Sequence, residues 1–212
     1  MFKTYLASTI AVASQISVDG KYLAIAEVNT SGALVESGIK IIDIEKASKG
    51  DTTNSVIYKY NAEKNKMITD IKYQEKGQLV CIYDDSIHII YQDQDNLVME
   101  FNSSVQISDI NLKGYIVRTE EAKTGLSSVK TSVILTNITN NAESTYSIDS
   151  VVKSLTCYEQ IIAANLGTDI HFINLNGWLQ KKFTSVQEIK DVVIGSSVAG
   201  VIYRDRIKII SI

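Results

Sequence analysis

The sequence predicts an all-β fold built from five copies of one small antiparallel sheet, on three observations. First, a strand motif returns five times: Ile39-Lys40-Ile41-Ile42-Asp43, Ile87-His88-Ile89-Ile90-Tyr91, Val133-Ile134-Leu135-Thr136-Asn137, Ile170-His171-Phe172-Ile173-Asn174 and Ile207-Lys208-Ile209-Ile210-Ser211. Second, two more recurring segments precede every copy, and a fourth follows all but the last. Third, β-branched and aromatic residues dominate these segments, and helical periodicity is nowhere sustained. Repeats spaced by tens of residues mean stacked or ring-closed units, and four short strands per unit match one blade of a β-propeller.

The first strand of each unit reads apolar–polar–polar–apolar: Ala13-Ser-Gln-Ile16, Ile68-Thr-Asp-Ile71, Ile107-Ser-Asp-Ile110, Val152-Lys-Ser-Leu155 and Ile189-Lys-Asp-Val192. Asp19-Gly20 and Lys76-Gly77 then supply hairpin turns. The second strand is a denser apolar run, such as Tyr22-Leu-Ala-Ile-Ala-Glu27 or Val198-Ala-Gly-Val-Ile-Tyr203, and the motif above is the third. The fourth ends on a large apolar residue, as in Val56-Ile-Tyr-Lys-Tyr60 and Trp178-Leu-Gln-Lys-Lys-Phe183. Helix is a poor fit throughout.

The blades fall near residues 8–61, 66–102, 105–149, 151–184 and 186–212 of a single domain. The last unit lacks a fourth strand, whereas residues 1–7 resemble a fourth strand with no unit before it. Pairing that segment into the last blade closes the ring and removes two open edges, which otherwise invite aggregation. The alternative is an open, C-terminal part of a larger propeller, which self-associates if its ring is incomplete.

Composition narrows function by exclusion. A net charge of −3 with no basic face argues against nucleic acid held through its phosphates. No apolar stretch reaches the ~20 residues that span a bilayer, so no direct membrane insertion is expected. Stretch 5–14 is short, interrupted by hydroxyls and without a signal-peptide layout. With only Cys81 and Cys157, both in apolar strands, cysteine builds neither a disulfide framework nor a zinc site. The absence of proline suits a chain of paired strands.

The repeat also discounts the chemically tempting residues. His88 and His171 hold the motif position that Lys40 and Lys208 hold elsewhere, so they read as solvent-reachable and replaceable by lysine, not as metal ligands or catalysts. No Ser–His–Asp set is assembled from them, and no cofactor is implied. Asp70, Asp109 and Asp191 recur at one position of the innermost strand. They read either as carboxylates near a central channel or as side chains bonded to the backbone of the adjoining blade. Asn29-Thr30-Ser31, Asn102-Ser103-Ser104 and Asn137-Ile138-Thr139 match glycosylation sequons. Ile89 and Phe172, taken as core positions, are expected to cost roughly 2–5 kcal/mol when cut to alanine.

Two connections between second and third strands are long, at 29–38 and 119–131, and in a propeller they emerge on one face. Insertions on one face of a repeat protein are frequent binding sites, and neutral drift is the other reading. The binding candidates there are Asn29, Ser31, Glu36, Glu120, Lys123 and Ser127.

The run Ile16-Ser-Val-Asp-Gly-Lys-Tyr-Leu-Ala-Ile-Ala-Glu-Val-Asn-Thr-Ser-Gly32 resembles the S-x-D-G-K-Y-L-A signature of WD40-like and TolB-like bacterial propellers. With Asn165-Leu-Gly-Thr-Asp-Ile-His-Phe-Ile-Asn174, Gly177-Trp178 and Ala199-Gly-Val-Ile-Tyr-Arg-Asp-Arg-Ile207, it is similar over essentially its whole length to a propeller family of unknown function in Gram-positive bacteria. That resemblance implies a membrane anchor followed by a longer propeller on the outer side of the membrane, so this chain reads as the C-terminal portion. No copy ends its third strand with Trp-Asp, and the WD40 comparison stops at architecture.

Two functional classes follow. The first is a non-enzymatic binding or scaffold propeller, extracytoplasmic by resemblance or else cytoplasmic, that recognises a protein, peptide or cell-wall glycan through its long-loop face. The second is a channel-mouth hydrolase or lyase using the innermost-strand aspartates, which needs two carboxylates close together with a polar partner.

Overall fold

The computed structural model describes residues 9–51, 53–61, 65–92, 94–101, 105, 107–111, 113–123 (only the backbone at Lys123) and 129–212. Among them, strands form five antiparallel sheets. Sheet one holds β1 (Ile10–Ile16), β2 (Tyr22–Asn29), β3 (Glu36–Asp43) and β4 (Val56–Asn61). Sheet two holds β5 (Ile68–Tyr73), β6 (Leu79–Tyr83), β7 (Ser86–Tyr91) and β8 (Gln94–Glu100). Sheet three holds β9 (Ser108–Ile110), β10 (Tyr115–Lys123), β11 (Val129–Asn137) and β12 (Ala142–Ile148). Sheet four holds β13 (Ser154–Tyr158), β14 (Ile161–Asn165), β15 (Asp169–Asn174) and β16 (Leu179–Thr184). Sheet five holds β17 (Asp191–Ile194), β18 (Val198–Ile202) and β19 (Ile207–Ser211). Spatial order follows chain order in every sheet. The chain divides into two compact units, Met1–Asn102 with sheets one and two, and Ser103–Ile212 with sheets three to five.

Two-sided burial explains why the second strands are so apolar. Successive strand residues point to opposite faces, and sheet four is covered on both. Ile162, Ala164 and Ile173 pack with Val117, Val133 and Leu135 of sheet three. On the other face Ala163, Ile170 and Phe172 pack with Val192, Ala199 and Val201 of sheet five. In the first unit Ala24, Ala26, Ile39 and Ile41 meet Ile68, Ile71, Leu79 and Cys81 in the same way. Fully burying one such isoleucine or leucine contributes about 1.5–3 kcal/mol, so this packing dominates stability. Phe172 is fully buried, but Ile89 is only half-buried, while Ile87 and Ile90 on either side of it are fully covered. Both cysteines are free and buried, and burial pushes the Cys81 thiol well up.

Several details differ from the sequence reading. A five-residue helix, α1 (Ile44–Ser48), follows β3, where none was expected. The Asp43 side chain caps it by accepting from the Lys46 N–H at 3.0 Å, and Ala47 packs on Ile25 and Ile42. One turn is too short to leave a periodic signal. In units four and five the first-strand motif straddles the strand start, since β13 begins at Ser154 and β17 at Asp191. In sheet five Ile207 and Ile209 are 63% and 67% exposed, although their counterparts in sheets one, three and four are buried. There β19 has no further strand beside it among the described residues. The segment 1–7, expected to fill that place, lies outside the described residues, as does the sequon Asn102-Ser103-Ser104.

Candidate functional site

Of the six loop-face candidates, the five that are described belong to strands and tight turns more than to long loops. In the first unit β2 and β3 stay paired out to Asn29 opposite Glu36, leaving only residues 30–35 as connection. Asn29 Oδ1 accepts from both the backbone N–H of Ser31 at 3.0 Å and its hydroxyl at 2.6 Å, a local turn that fully occupies this oxygen. In the second unit β10 and β11 run in register from Tyr115 opposite Asn137 to Lys123 opposite Val129. Glu120 is thus a ladder residue opposite Ser132, and its carboxylate lies 3.5 Å from the Arg118 guanidinium. Arg118 is itself buried, donates to Thr136 at 2.6 Å and pairs with Glu143 at 3.0 Å. Alternation continuing through Thr119-Glu120-Glu121 and Val129-Lys130-Thr131 extends the hairpin, which explains the correction. Ser127 lies outside the described residues.

The three innermost-strand aspartates share one geometry. Asp70, Asp109 and Asp191 each accept, at 2.8 Å, from the backbone N–H of the next residue. Asp109 also accepts the Cys157 N–H at 2.6 Å, tying β9 to β13, and Asp191 accepts from the Ser154 hydroxyl at 3.1 Å, tying β17 to β13. Asp109 and Asp191 therefore bridge adjoining sheets. Among the described residues no group of three or more His, Cys, Asp or Glu is placed to hold a metal ion.

The histidines are not the exposed positions the repeat suggested. His171 is 8% exposed, with the Tyr146 hydroxyl 3.1 Å from Nδ1. Burial, then the Lys182 charge, lowers its pKa. His88 Nδ1 lies 2.8 Å from Asp95 and Nε2 lies 3.2 Å from Ser86 Oγ, with the Tyr83 ring packed against the imidazole. This Ser–His–Asp arrangement is invisible in sequence because the strand pairing assembles it. Ser86, however, has no exposed surface, and its hydroxyl donates to Asp85 at 2.7 Å. A nucleophile needs a substrate within reach and a free lone pair aimed at it. Ser86 is sealed, and the set fastens β7 to β8.

An open cleft of about 560 Å³ lies between sheets one and two, both within the first unit. It sits at the sheet ends where first strands turn into second strands and third into fourth. The 30–35 connection lies at the opposite end of sheet one: Ile16 pairs with Leu23 beside the cleft, and Val28 pairs with Ser37 beside that connection. Four tyrosines line the cleft, and each occupies a strand position near that rim: Tyr22 starts β2, Tyr58 is early in β4, Tyr73 ends β5 and Tyr91 ends β7. Ile41, Leu79 and Ile90 form a buried floor. The rim carries Asp19, Glu75, Lys76 and Gln92. Gly20 and Gly77, at φ +73° and +75°, make the two rim turns, a backbone region open to glycine without strain. Tyr60 donates its hydroxyl to the Gln92 carbonyl at 2.5 Å and so fixes the turn that follows β7. Sequence reasoning identified both rim turns and missed the tyrosines. The signal was there in the excess of tyrosine over phenylalanine, 11 against 4, at strand ends.

The sheet architecture has counterparts among solved structures. Hsv2p of Kluyveromyces lactis matches with a TM-score of 0.60 at 13% identity, over 95% of this chain and 74% of that one. The Pan2 WD40 domain of Neurospora crassa matches at 0.59 and 7% identity, over 91% and 56%. The extracellular domain of the hybrid two-component system BT4673 from B. thetaiotaomicron matches at 0.60 and 11% identity, over 90% and 32%. At such identities the likeness carries the fold alone. With five antiparallel sheets in the chain, that fold is a β-propeller of about five blades.

Residues 6–212 match the model of a family of unknown function, DUF5711, and the chain belongs to that family. No curated protein matches the sequence. No helix among the described residues is long and apolar enough to cross a membrane.

Proposed function

We propose that this propeller is a non-catalytic recognition module of a bacterial cell envelope, acting on the outer side of the membrane as one part of an anchored Gram-positive protein. Its ligand is an envelope glycan, peptide or protein, and it binds in the tyrosine-lined cleft of the first unit. The observation that carries the reading is the contrast between two constellations. The cleft is open, apolar at its floor and ringed by polar groups, the usual make-up of a ligand site. The Ser86–His88–Asp95 set, by contrast, has a nucleophile with no exposed surface. The extracellular placement of the BT4673 domain is in keeping with an outer-face role. The site the sequence suggested comprises Asn29, Ser31, Glu36, Glu120, Lys123 and Ser127. The cleft is preferred to them because it combines concavity with tyrosine hydroxyls that bond to no other described residue.

A hydrolase or lyase drawing on Asp70, Asp109 and Asp191 would have to recruit carboxylates already bonded to backbone N–H groups. The test is to incubate purified protein with envelope glycans and peptides, following binding by calorimetry and products by mass spectrometry in the same samples. The expected outcome is saturable binding with every ligand recovered intact. Cleaved ligand, removed by Ser86→Ala or Asp109→Asn, would establish catalysis instead.

A further inference from the structure

The chemistry of the cleft narrows its ligand class, an inference that rests on the recognition reading above. Tyr73 is only 4% exposed, lines the cleft, and its hydroxyl makes no hydrogen bond to the described residues. Its ring is buried while its oxygen is not sealed off, so a ligand in the cleft can reach it. The hydroxyls of Tyr22, Tyr58 and Tyr91 are likewise uncommitted among the described residues. A phenol both donates and accepts, so four of them ask for a ligand that does both. The ring faces of Tyr22, Tyr73 and Tyr91 are engaged by no other ring there, which leaves flat apolar surfaces to cover.

The rim charges sharpen the choice. Asp19 pairs with Lys21 at 3.3 Å and Glu75 stands beside Lys76, so the rim charges balance and favour neither an anionic nor a cationic ligand. The Ser17 hydroxyl and the Lys21 N–H hold the Asp19 carboxyl below its usual range, so it is an acceptor at neutral pH. Acceptors require donors. A proline-rich segment covers tyrosine rings well but has no N–H at its prolines to offer a carboxylate. A lone quaternary ammonium would occupy little of a 560 Å³ cleft, a volume within the roughly 300–1,000 Å³ of sites for larger organic ligands. A pyranose has apolar C–H faces for the rings and hydroxyls that donate as well as accept.

We infer that the cleft between sheets one and two binds a neutral oligosaccharide, its pyranose faces on the tyrosine rings and its hydroxyls bonded to the phenols, Asp19 and Glu75. The probes are cellohexaose, maltohexaose and the N-acetylglucosamine hexamer, with a proline decamer as the competing class. Binding is read by NMR on ring-labelled tyrosine and by calorimetry. One hexasaccharide is expected to shift the Tyr73 resonances. Tyr73→Phe, which keeps the packing, is expected to weaken it about tenfold, and Tyr58→Ala with Tyr91→Ala to remove it. Shifts by the proline decamer alone overturn the saccharide while leaving recognition at the cleft standing. Saccharide binding that survives the tyrosine substitutions and is lost in Glu36→Ala or Glu120→Ala overturns the cleft as its site. No shift with any probe overturns both the saccharide and the cleft.

Discussion

His171 occupies the position that lysine holds in two sister copies, yet its surroundings differ from theirs. Its ring is buried against Tyr146, whereas Lys40 pairs with Glu27 at 2.8 Å and Lys208 extends over the Phe183 ring. Replacing His171 with lysine therefore places an ammonium in a space built for a neutral ring and is expected to cost roughly 3 kcal/mol. Urea unfolding of the variant checks this, and a near-neutral result would restore the exposed reading. The imidazole also gives a pH dependence. Its folded pKa is lowered by burial, so the unfolded chain binds the proton first as pH falls. The contribution is complete above the ordinary histidine value of about 6.5 and is lost as pH drops through it toward the lower folded value. His171→Gln should flatten that part of the stability–pH curve. Aligning the copies shows which position recurs and hides which neighbour faces it, so this residue was legible in place but not in environment.

At the scale of elements, the aspartates that tie sheets together separate a strong contact from a weak one. Asp109 holds the Cys157 N–H at 2.6 Å beside the buried Cys157 side chain. Across the sheets, Asp191 meets the half-buried Ser154 hydroxyl at 3.1 Å. Removing Asp109 leaves a buried donor unmet, so Asp109→Ala is expected to cost about 1–3 kcal/mol and Asp191→Ala under about 0.5 kcal/mol. Equal losses in chemical denaturation would contradict this ranking. Strand existence was legible because two-sided burial writes long apolar runs such as Gln160-Ile-Ile-Ala-Ala164. Strand length was less so. The extension of β10 and β11 out to Lys123 and Val129 uses polar and charged residues, which composition assigns to loops, and only the ladder reveals them as paired. The helix after β3 rests on one cap and one turn, below the length at which a 3.6-residue period appears.

For the whole molecule, repetition made the architecture readable and concealed the site. The copied segments specify where apolar residues go, and the cleft tyrosines follow no single repeat position: Tyr91 stands where the other copies carry Asp43, Asn137, Asn174 and Ser211, whereas Tyr22 has a counterpart in Tyr115. Hydrogen exchange of the intact chain, resolved by mass spectrometry, tests the repeated architecture on which the cleft depends. The account predicts a recurring pattern in which β2, β6, β10, β14 and β18, paired on both sides within their sheets, exchange slowest, with β4, β8, β12, β16 and β19 faster in every unit. Protection concentrated in one sheet, or outer strands as slow as the second strands throughout, would contradict it.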